Sequence, residues 1–167
     1  MTGINDIKVE NLIKNTAEKL KSEIKPPTWA TFVKTGAHKQ RPPVDSNWWF
    51  VRAAAILRRI YLLGPIGTNK LANKYGGKRK KGTLPEKSYT GSRSIIRKIL
   101  QQLEEKGYIA KTKKGVHNGR ILTPKGVKLL AGTKKNESGR TKEVARATTN
   151  AAPVIETGAE SKEILKQ

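Results

Sequence analysis

Hydrophobic residues recur at helical spacing in the first part of the chain. Between residues 6 and 24, one predicted helix face carries Val9, Ile13, Ala17, Leu20 and Ile24. Asp6 is a candidate cap and Pro26-Pro27 ends the pattern, which predicts an amphipathic helix with its lysines in solvent. PPTWATFV, 26–33, predicts a short helix that presents Trp29, Phe32 and Val33, and KTGAHKQRPP, 34–43, predicts a basic loop.

The segment 47–63 is apolar nearly all round, and Gly64-Pro65 follows it. This pattern predicts a helix that other elements surround. The segment nevertheless carries Arg52, Arg58 and Arg59. A buried arginine without a partner costs several kcal/mol, so these side chains must reach carboxylates, water or phosphate. Acidic residues are scarce, which favours phosphate over an internal ion pair or extension into solvent.

The next segments predict a helix over 68–75, a long loop over 76–92 and a helix over 92–107. Four consecutive basic residues, Lys78 to Lys81, lie among glycines in the loop, which suits contact with phosphates. The helix predicted over 92–107 has a core face formed by Ile95, Ile96, Ile99, Leu100 and Leu103. Its basic residues come early and its acidic residues late, against the helix dipole, as expected if its start faces a phosphate.

YIAKT and RILT predict two strands joined by the turn KKGVHNG, and Thr123-Pro124 predicts the start of a short last helix. Helices followed by a hairpin in this order indicate a winged helix. The predicted fold class is mainly α with a small β-hairpin, and extra N-terminal helices pack around helix 47–63. The predicted domain spans 1–132, and 133–167 is predicted to be a disordered tail.

Charge adds the main clue to function. The chain has 35 Lys+Arg against 13 Asp+Glu, a net charge of +22. Residues 1–132 hold 28 of the basic residues and 8 of the acidic ones, a net of +20, so the predicted domain itself is basic. Such an excess indicates a polyanionic partner, and nucleic acid fits better than a membrane because no segment has the length of a bilayer span.

Other functional classes receive little support from the sequence. There is no cysteine, and two dispersed histidines do not indicate a metal site or another cofactor. No nucleophile, acid and base recur at useful spacing, so we predict no enzymatic activity. A winged-helix DNA regulator shares the predicted topology, but no surface for dimerisation is evident, and we expect a monomer. The N-terminus lacks a signal-peptide pattern, which predicts an intracellular location.

Several blocks carry a specific resemblance: PPTWATFVKTGAHKQRPP, DSNWWFVRAAAILRRIYLLGPIG, LANKYGGKRKKGTLP, SRSIIRKILQQLEEKG and NGRILTPKG. Over about residues 24–130 the chain resembles the archaeal and eukaryotic ribosomal protein S19e family of the small subunit. The resemblance implies a non-enzymatic cytoplasmic protein that binds rRNA in the head of the subunit, beside neighbouring head proteins, and supports subunit maturation. The candidate RNA-binding residues are Lys34, His38, Lys39, Arg52, Arg58, Arg59, Lys78, Arg79, Lys80, Lys81, Arg93, Arg97, Lys98, Lys113, Lys114 and His117.

Overall fold

The structure, a computed structural model, describes residue 4 and residues 7–114 and 117–132. The predicted tail, 133–167, lies outside this part. Five helices and two antiparallel hairpins form the described chain, which confirms the prediction of a mostly helical protein with a small β part. In chain order they are α1 (Val9–Lys21), a 3-10 helix (Thr28–Thr31), α2 (Trp48–Leu63), α3 (Thr68–Lys74), β1 (Gly77–Lys81), β2 (Leu84–Tyr89), α4 (Arg93–Glu105), β3 (Ile109–Lys114), β4 (His117–Leu122) and α5 (Pro124–Ala131).

The buried face predicted for residues 6–24 is confirmed at Ala17, Leu20 and Ile24 but differs in the earlier part of α1. Val9 is 42% exposed, and the helix instead buries Leu12 and Thr16 along with Ala17 and Leu20. Thr16 satisfies its hydroxyl by donating a hydrogen bond to the Leu12 carbonyl at 2.7 Å. A threonine can therefore occupy a core position that its polarity did not indicate. The predicted cap, Asp6, lies outside the described residues.

Helix α2 is the centre of the core, as the sequence predicted. It buries Trp49, Ala53, Ala54, Ile56, Leu57 and Ile60. Its end at Gly64, also predicted, has a physical cause, because the φ of this residue is +69° and glycine adopts that region without strain. Helix α1 packs along α2, while α4, β4 and α5 contact its other sides.

A polar side chain on α4 ties three parts of this core together. The Trp49 indole N–H donates to Gln102 Oε1 at 3.0 Å, and Gln102 Nε2 donates to the Lys25 carbonyl at 2.6 Å. Trp49 also meets Trp29 edge to face, with ring centroids 5.6 Å apart. Packing and hydrogen bonding together therefore fix the orientation of the Trp49 indole in the core.

Replacing Gln102 with leucine should lower the free energy of unfolding by about 1–3 kcal/mol, since it leaves the Trp49 indole N–H and the Lys25 carbonyl without their partner. Gln101→Leu is the matched control, because this neighbour on the same helix is exposed. Urea unfolding of both variants measures the difference. Equal stability of the two variants would show that the hydrogen bonds contribute nothing.

The segment 76–92 is a second hairpin rather than the predicted loop. Strands β1 and β2 pair from Gly77 opposite Tyr89 to Lys81 opposite Leu84, with a register shift between Arg79 and Lys81. Gly82 supplies the turn with a φ of +67°. The hairpin escaped prediction because both of its faces are exposed or half-exposed, so no alternation of apolar and polar residues marks its strands.

The other hairpin, β3–β4, was predicted, but its strands extend further into the turn than expected, to include Lys113 and Lys114 on β3 and residues 117–119 on β4. Backbone hydrogen bonds in both directions between Ile66 and Arg120 fix it to the α2–α3 connection. A Cβ at Gly119 would lie 2.7 Å from the Ile66 nitrogen, so this close approach requires glycine.

Helix α4 buries the five residues predicted for its core face. One of its late acidic residues has a structural reason, because Glu104 pairs with Lys111 at 3.1 Å and with Arg120 at 3.3 Å. These contacts join the end of α4 to the β3–β4 hairpin. Helix α5 begins as predicted, with the Thr123 side chain accepting a hydrogen bond from the Gly126 N–H.

Candidate nucleic-acid interface

The loop after the 3-10 helix, the end of α3, the base of the β1–β2 hairpin and the start of α4 meet at one junction. Gly91 donates a hydrogen bond to the Ala72 carbonyl, and Ser92 donates to the Thr35 carbonyl, both at 2.9 Å. Gly36 and Gly91 form an isolated β-bridge. A Cβ at Gly91 would lie 2.8 Å from the Tyr75 carbonyl oxygen, so the backbones meet as closely as glycine permits. Most of the candidate residues lie on these four elements.

Arg52 reaches the junction from α2. Its guanidinium lies 4.3 Å from the centre of the Tyr75 ring, a cation–π distance. Burial lowers the pKa of Arg52 and raises the pKa of Tyr75, while the nearby charges of Arg52, Arg59 and Arg58 act to lower the latter. Within the described part of the chain, Arg52 forms no ion pair with a carboxylate. No Asp or Glu side chain among the described residues therefore neutralises its positive charge.

Arg58 and Arg59 lie half-buried near the end of α2. Neither forms an ion pair among residues 7–114 and 117–132. Both charges are close enough to influence the Tyr75 hydroxyl, so all three arginines of this apolar helix contribute positive potential on the side of α3. Helix α2 therefore carries three positive charges that no Asp or Glu side chain of the described residues neutralises through an ion pair.

His38 lies inside the junction. Its ring lies against Gly36 and Gly77, because a Cβ at these glycines would stand 2.8 Å and 3.1 Å from ring atoms. Burial, then the charges of Lys39 and Arg52, lower the pKa of His38. A neutral, packed imidazole fits the role of a spacer between the loop and β1 better than that of a phosphate-binding cation. Lys34 and Lys39 on the same loop are exposed.

The β1–β2 hairpin carries the densest positive charge. Lys78, Arg79, Lys80 and Lys81 are all exposed on β1. Arg79 stands directly opposite Lys87, a like-charge pair that weakens the hairpin. Lys80 and Glu86 approach to 3.9 Å, but their side chains are 85% and 42% exposed, so this pair adds little stability. Lys81 lies 5.5 Å from the Tyr89 ring centre.

Helix α4 adds a third group of cations. Arg93, Arg97 and Lys98 are exposed in its first turns, and the first turn holds no acidic residue. Arg93 follows Ser92, whose backbone joins the loop at Thr35. The positive start of α4 therefore borders the junction. We call the exposed or half-exposed cations described above the basic junction surface: Lys34, Lys39, Arg52, Arg58, Arg59, Lys78, Arg79, Lys80, Lys81, Arg93, Arg97 and Lys98.

The remaining candidates belong to the other hairpin. Lys113 lies on β3, beside the cleft of about 560 Å³ between this hairpin and Gly67-Thr68. Lys114 and His117 pair with each other across the strands, and their side chains lie outside the described part of the structure. The hairpin is anchored to the α2–α3 connection through Ile66. Its cations thus form a separate group.

Sequence reasoning missed three residues of the junction. Tyr75 supports Arg52, Arg41 lines a cavity beside it, and Lys87 adds a cation opposite Arg79. Arg41 and Lys87 lie in segments already recognised as basic, so charge alone was a usable signal. No sequence signal identified Tyr75, because a tyrosine at a helix end usually packs against the core.

Metal binding and membrane insertion receive no support from the described residues. These residues contain no group of three or more His, Cys, Asp or Glu side chains arranged to hold a metal ion. None of the described helices is long and apolar enough to cross a membrane.

Comparison with known proteins identifies relatives over most of the chain. The relatives named small ribosomal subunit protein eS19 from Aeropyrum pernix and Thermoplasma acidophilum are 44% and 41% identical, over 78% and 81% of this chain and 86% and 89% of their own. A relative from Ascaris suum, named small ribosomal subunit protein eS19G, is 37% identical over 77% of this chain and 87% of its own. The family model described as ribosomal protein S19e matches residues 3–138.

These matches confirm the resemblance that the sequence blocks indicated. The matched family comprises ribosomal proteins, which are structural constituents and not enzymes. The matched region includes every residue of the basic junction surface. The chain belongs to the ribosomal protein S19e family.

Proposed function

We propose that this protein is a structural constituent of the small subunit of the cytoplasmic ribosome, where it binds rRNA in the subunit head and supports subunit maturation. The observation that carries the proposal is the basic junction surface, whose cations lack carboxylate partners among the described residues except for the Lys80–Glu86 contact. The names of the relatives supply the ribosomal context.

The charge distribution favours a folded polyanion over simple solubility. The β1–β2 hairpin places Arg79 opposite Lys87, which opposes its own pairing. RNA phosphates would attract both cations and so offset their mutual repulsion. Neutralising these phosphates would also release counterions condensed on the RNA. By contrast, Lys111 and Arg120 pair internally with Glu104. The protein thus neutralises the cations that join its elements and leaves those of the junction available to RNA.

The order of α2, α3, α4 and the β3–β4 hairpin supports a winged-helix arrangement, and we propose it as the domain of residues 1–132 with 133–167 as a tail. In this arrangement α4 is the recognition helix, and its exposed Arg93, Arg97 and Lys98 would contact rRNA. The β1–β2 hairpin is an insertion between α3 and α4 that adds a basic arm. We propose that the isolated protein is a monomer and meets head proteins only on the subunit.

Crosslinking on purified small subunits tests the proposal. Single cysteines at positions 52, 79 and 97 should crosslink to rRNA when they carry a short photoreactive group. A cysteine at position 18, which is exposed on α1, serves as the control and should crosslink weakly or to protein. Equal crosslinking to RNA from all four positions would show that the basic junction surface is not the interface.

A further inference from the structure

A cavity of about 540 Å³ lies beside the junction, between the loop at residues 39–45 and one face of α2. Helix α2 contributes Trp48, Val51, Arg52 and Ala55, which fall on a single face at helical spacing, and Tyr75 closes one side. The volume lies in the range of pockets that enclose small ligands. The cavity therefore has room for one planar ring system with attached polar groups.

The lining combines flat apolar surfaces with cations. Pro42, Trp48 and Val51 provide apolar walls, while Lys39 and Arg41 are exposed at its loop side. Trp48 is held in place because its indole N–H donates to the Ala30 carbonyl at 3.3 Å. Apolar walls do not stabilise a bound phosphate, and cations do not stabilise a bound apolar ligand. A nucleotide uses both, since its base stacks on flat surfaces and its phosphate pairs with cations.

The wall formed by Arg52 and Tyr75 has one buried polar group, the Tyr75 hydroxyl, that the described residues leave unsatisfied. The Tyr75 hydroxyl is buried and makes no hydrogen bond to any described residue. The Arg52 guanidinium stacks on the Tyr75 ring but does not pair with Asp45, although both residues line the cavity. Leaving a buried hydroxyl unsatisfied is unfavourable for folding alone. This hydroxyl and a guanidinium without a described carboxylate partner stand together at one wall, which indicates a site shaped for a ligand with hydrogen-bonding edges.

We infer that this cavity receives a single unstacked nucleotide of the rRNA, with its base against Trp48 and the Arg52–Tyr75 pair and a neighbouring phosphate on Lys39 and Arg41. The inference rests on the proposed function and adds a specific mode of contact to it. A base in a continuous duplex cannot enter such a cavity, because it remains stacked and paired. The cavity therefore selects single-stranded or bulged RNA, whereas the hairpin and α4 contact phosphates of any RNA.

The test uses the whole protein and two RNA probes of equal phosphate number, a mixed-sequence single strand and a perfect duplex. Val51→Trp fills the cavity from an exposed position without changing charge. It should weaken binding to the single strand about ten-fold, as expected when one base can no longer stack, and leave duplex binding unchanged. Leu62→Trp, at 42% exposure on the same helix and outside the cavity, is the matched control and should alter neither.

Arg52→Lys provides a second test, because it keeps the charge and removes the planar guanidinium. It should also weaken single-strand binding several-fold without changing the slope of log affinity against log salt. Equal losses on both probes, or no loss from either variant, would overturn the cavity inference while RNA binding itself stands. If the unmodified protein bound neither probe in a salt-dependent manner, the proposed function would fail instead.

Discussion

Replacing Lys78, Arg79, Lys80 and Lys81 together with glutamine is expected to weaken binding to small-subunit rRNA by at least about ten-fold at low salt. The slope of log affinity against log salt should become shallower by roughly one unit for each phosphate that the variant no longer neutralises. Both effects follow from the exposure of these side chains on β1, where only Lys80 has a nearby carboxylate among the described residues. Filter binding over a range of salt concentrations measures them.

The matched control removes the same charge from another face. Glutamine at Lys8, Lys14, Lys19 and Lys21 on and beside α1 lowers the net charge from +22 to +18, as the hairpin variant does. This control should reduce affinity and slope only slightly, because α1 lies outside the basic junction surface. If the two variants behaved alike, RNA would be responding to total charge and not to the hairpin. Neither variant should unfold, since all the substituted residues are exposed or half-exposed.

Two adjacent residues on α2 should give opposite outcomes. Leu57 is fully buried, so Leu57→Ala should lower the free energy of unfolding by about 2–5 kcal/mol, because apolar burial decreases and a cavity remains. Arg58 is half-buried and forms no ion pair with a carboxylate of the described residues. Arg58→Gln should therefore change the free energy of unfolding by less than about 1 kcal/mol. It should instead lower rRNA affinity several-fold and the salt slope by about one unit.

Urea unfolding and filter binding on the same preparations separate these effects. Leu62→Ala is the control for the first substitution, because Leu62 lies on the same helix at 42% exposure and its truncation should change stability little. A large decrease in stability from Arg58→Gln with normal RNA binding would show that this arginine stabilises the fold. That result would remove Arg58 from the proposed interface.

Helices were predicted well because burial on one face leaves a period in the sequence. Helix α4 shows this most clearly, since all five predicted core residues are buried. The β1–β2 hairpin left no such trace, because its strands have no buried face. The core face predicted for residues 6–24 was correct at Ala17, Leu20 and Ile24 but misplaced in the earlier part of α1, where Leu12 and Thr16 are buried. Thr16 reads as polar until its hydrogen bond to the Leu12 carbonyl is seen.

The candidate site shows a similar division. Charge identified every cation of the basic junction surface, because basic residues stand out in a sequence where acidic residues are scarce. Charge did not show that His38 packs inside the junction, or that Arg52 stacks on Tyr75. Both depend on contacts between segments distant in the chain, and glycines at 36 and 77 leave room for the His38 ring. The sequence therefore indicates which residues are candidates for RNA binding more readily than it indicates how their side chains are held.

If ribosomal RNA neutralises the basic junction surface in the cell, the protein should be found on small ribosomal subunits. Sedimentation of a cell lysate through a sucrose gradient, with the tagged protein followed by immunoblot, measures this. We expect the protein to sediment with small subunits and to move to the top of the gradient after extensive ribonuclease digestion. A protein that stayed at the top in undigested lysate, with the same profile after digestion, would show that it is not bound to ribosomal RNA.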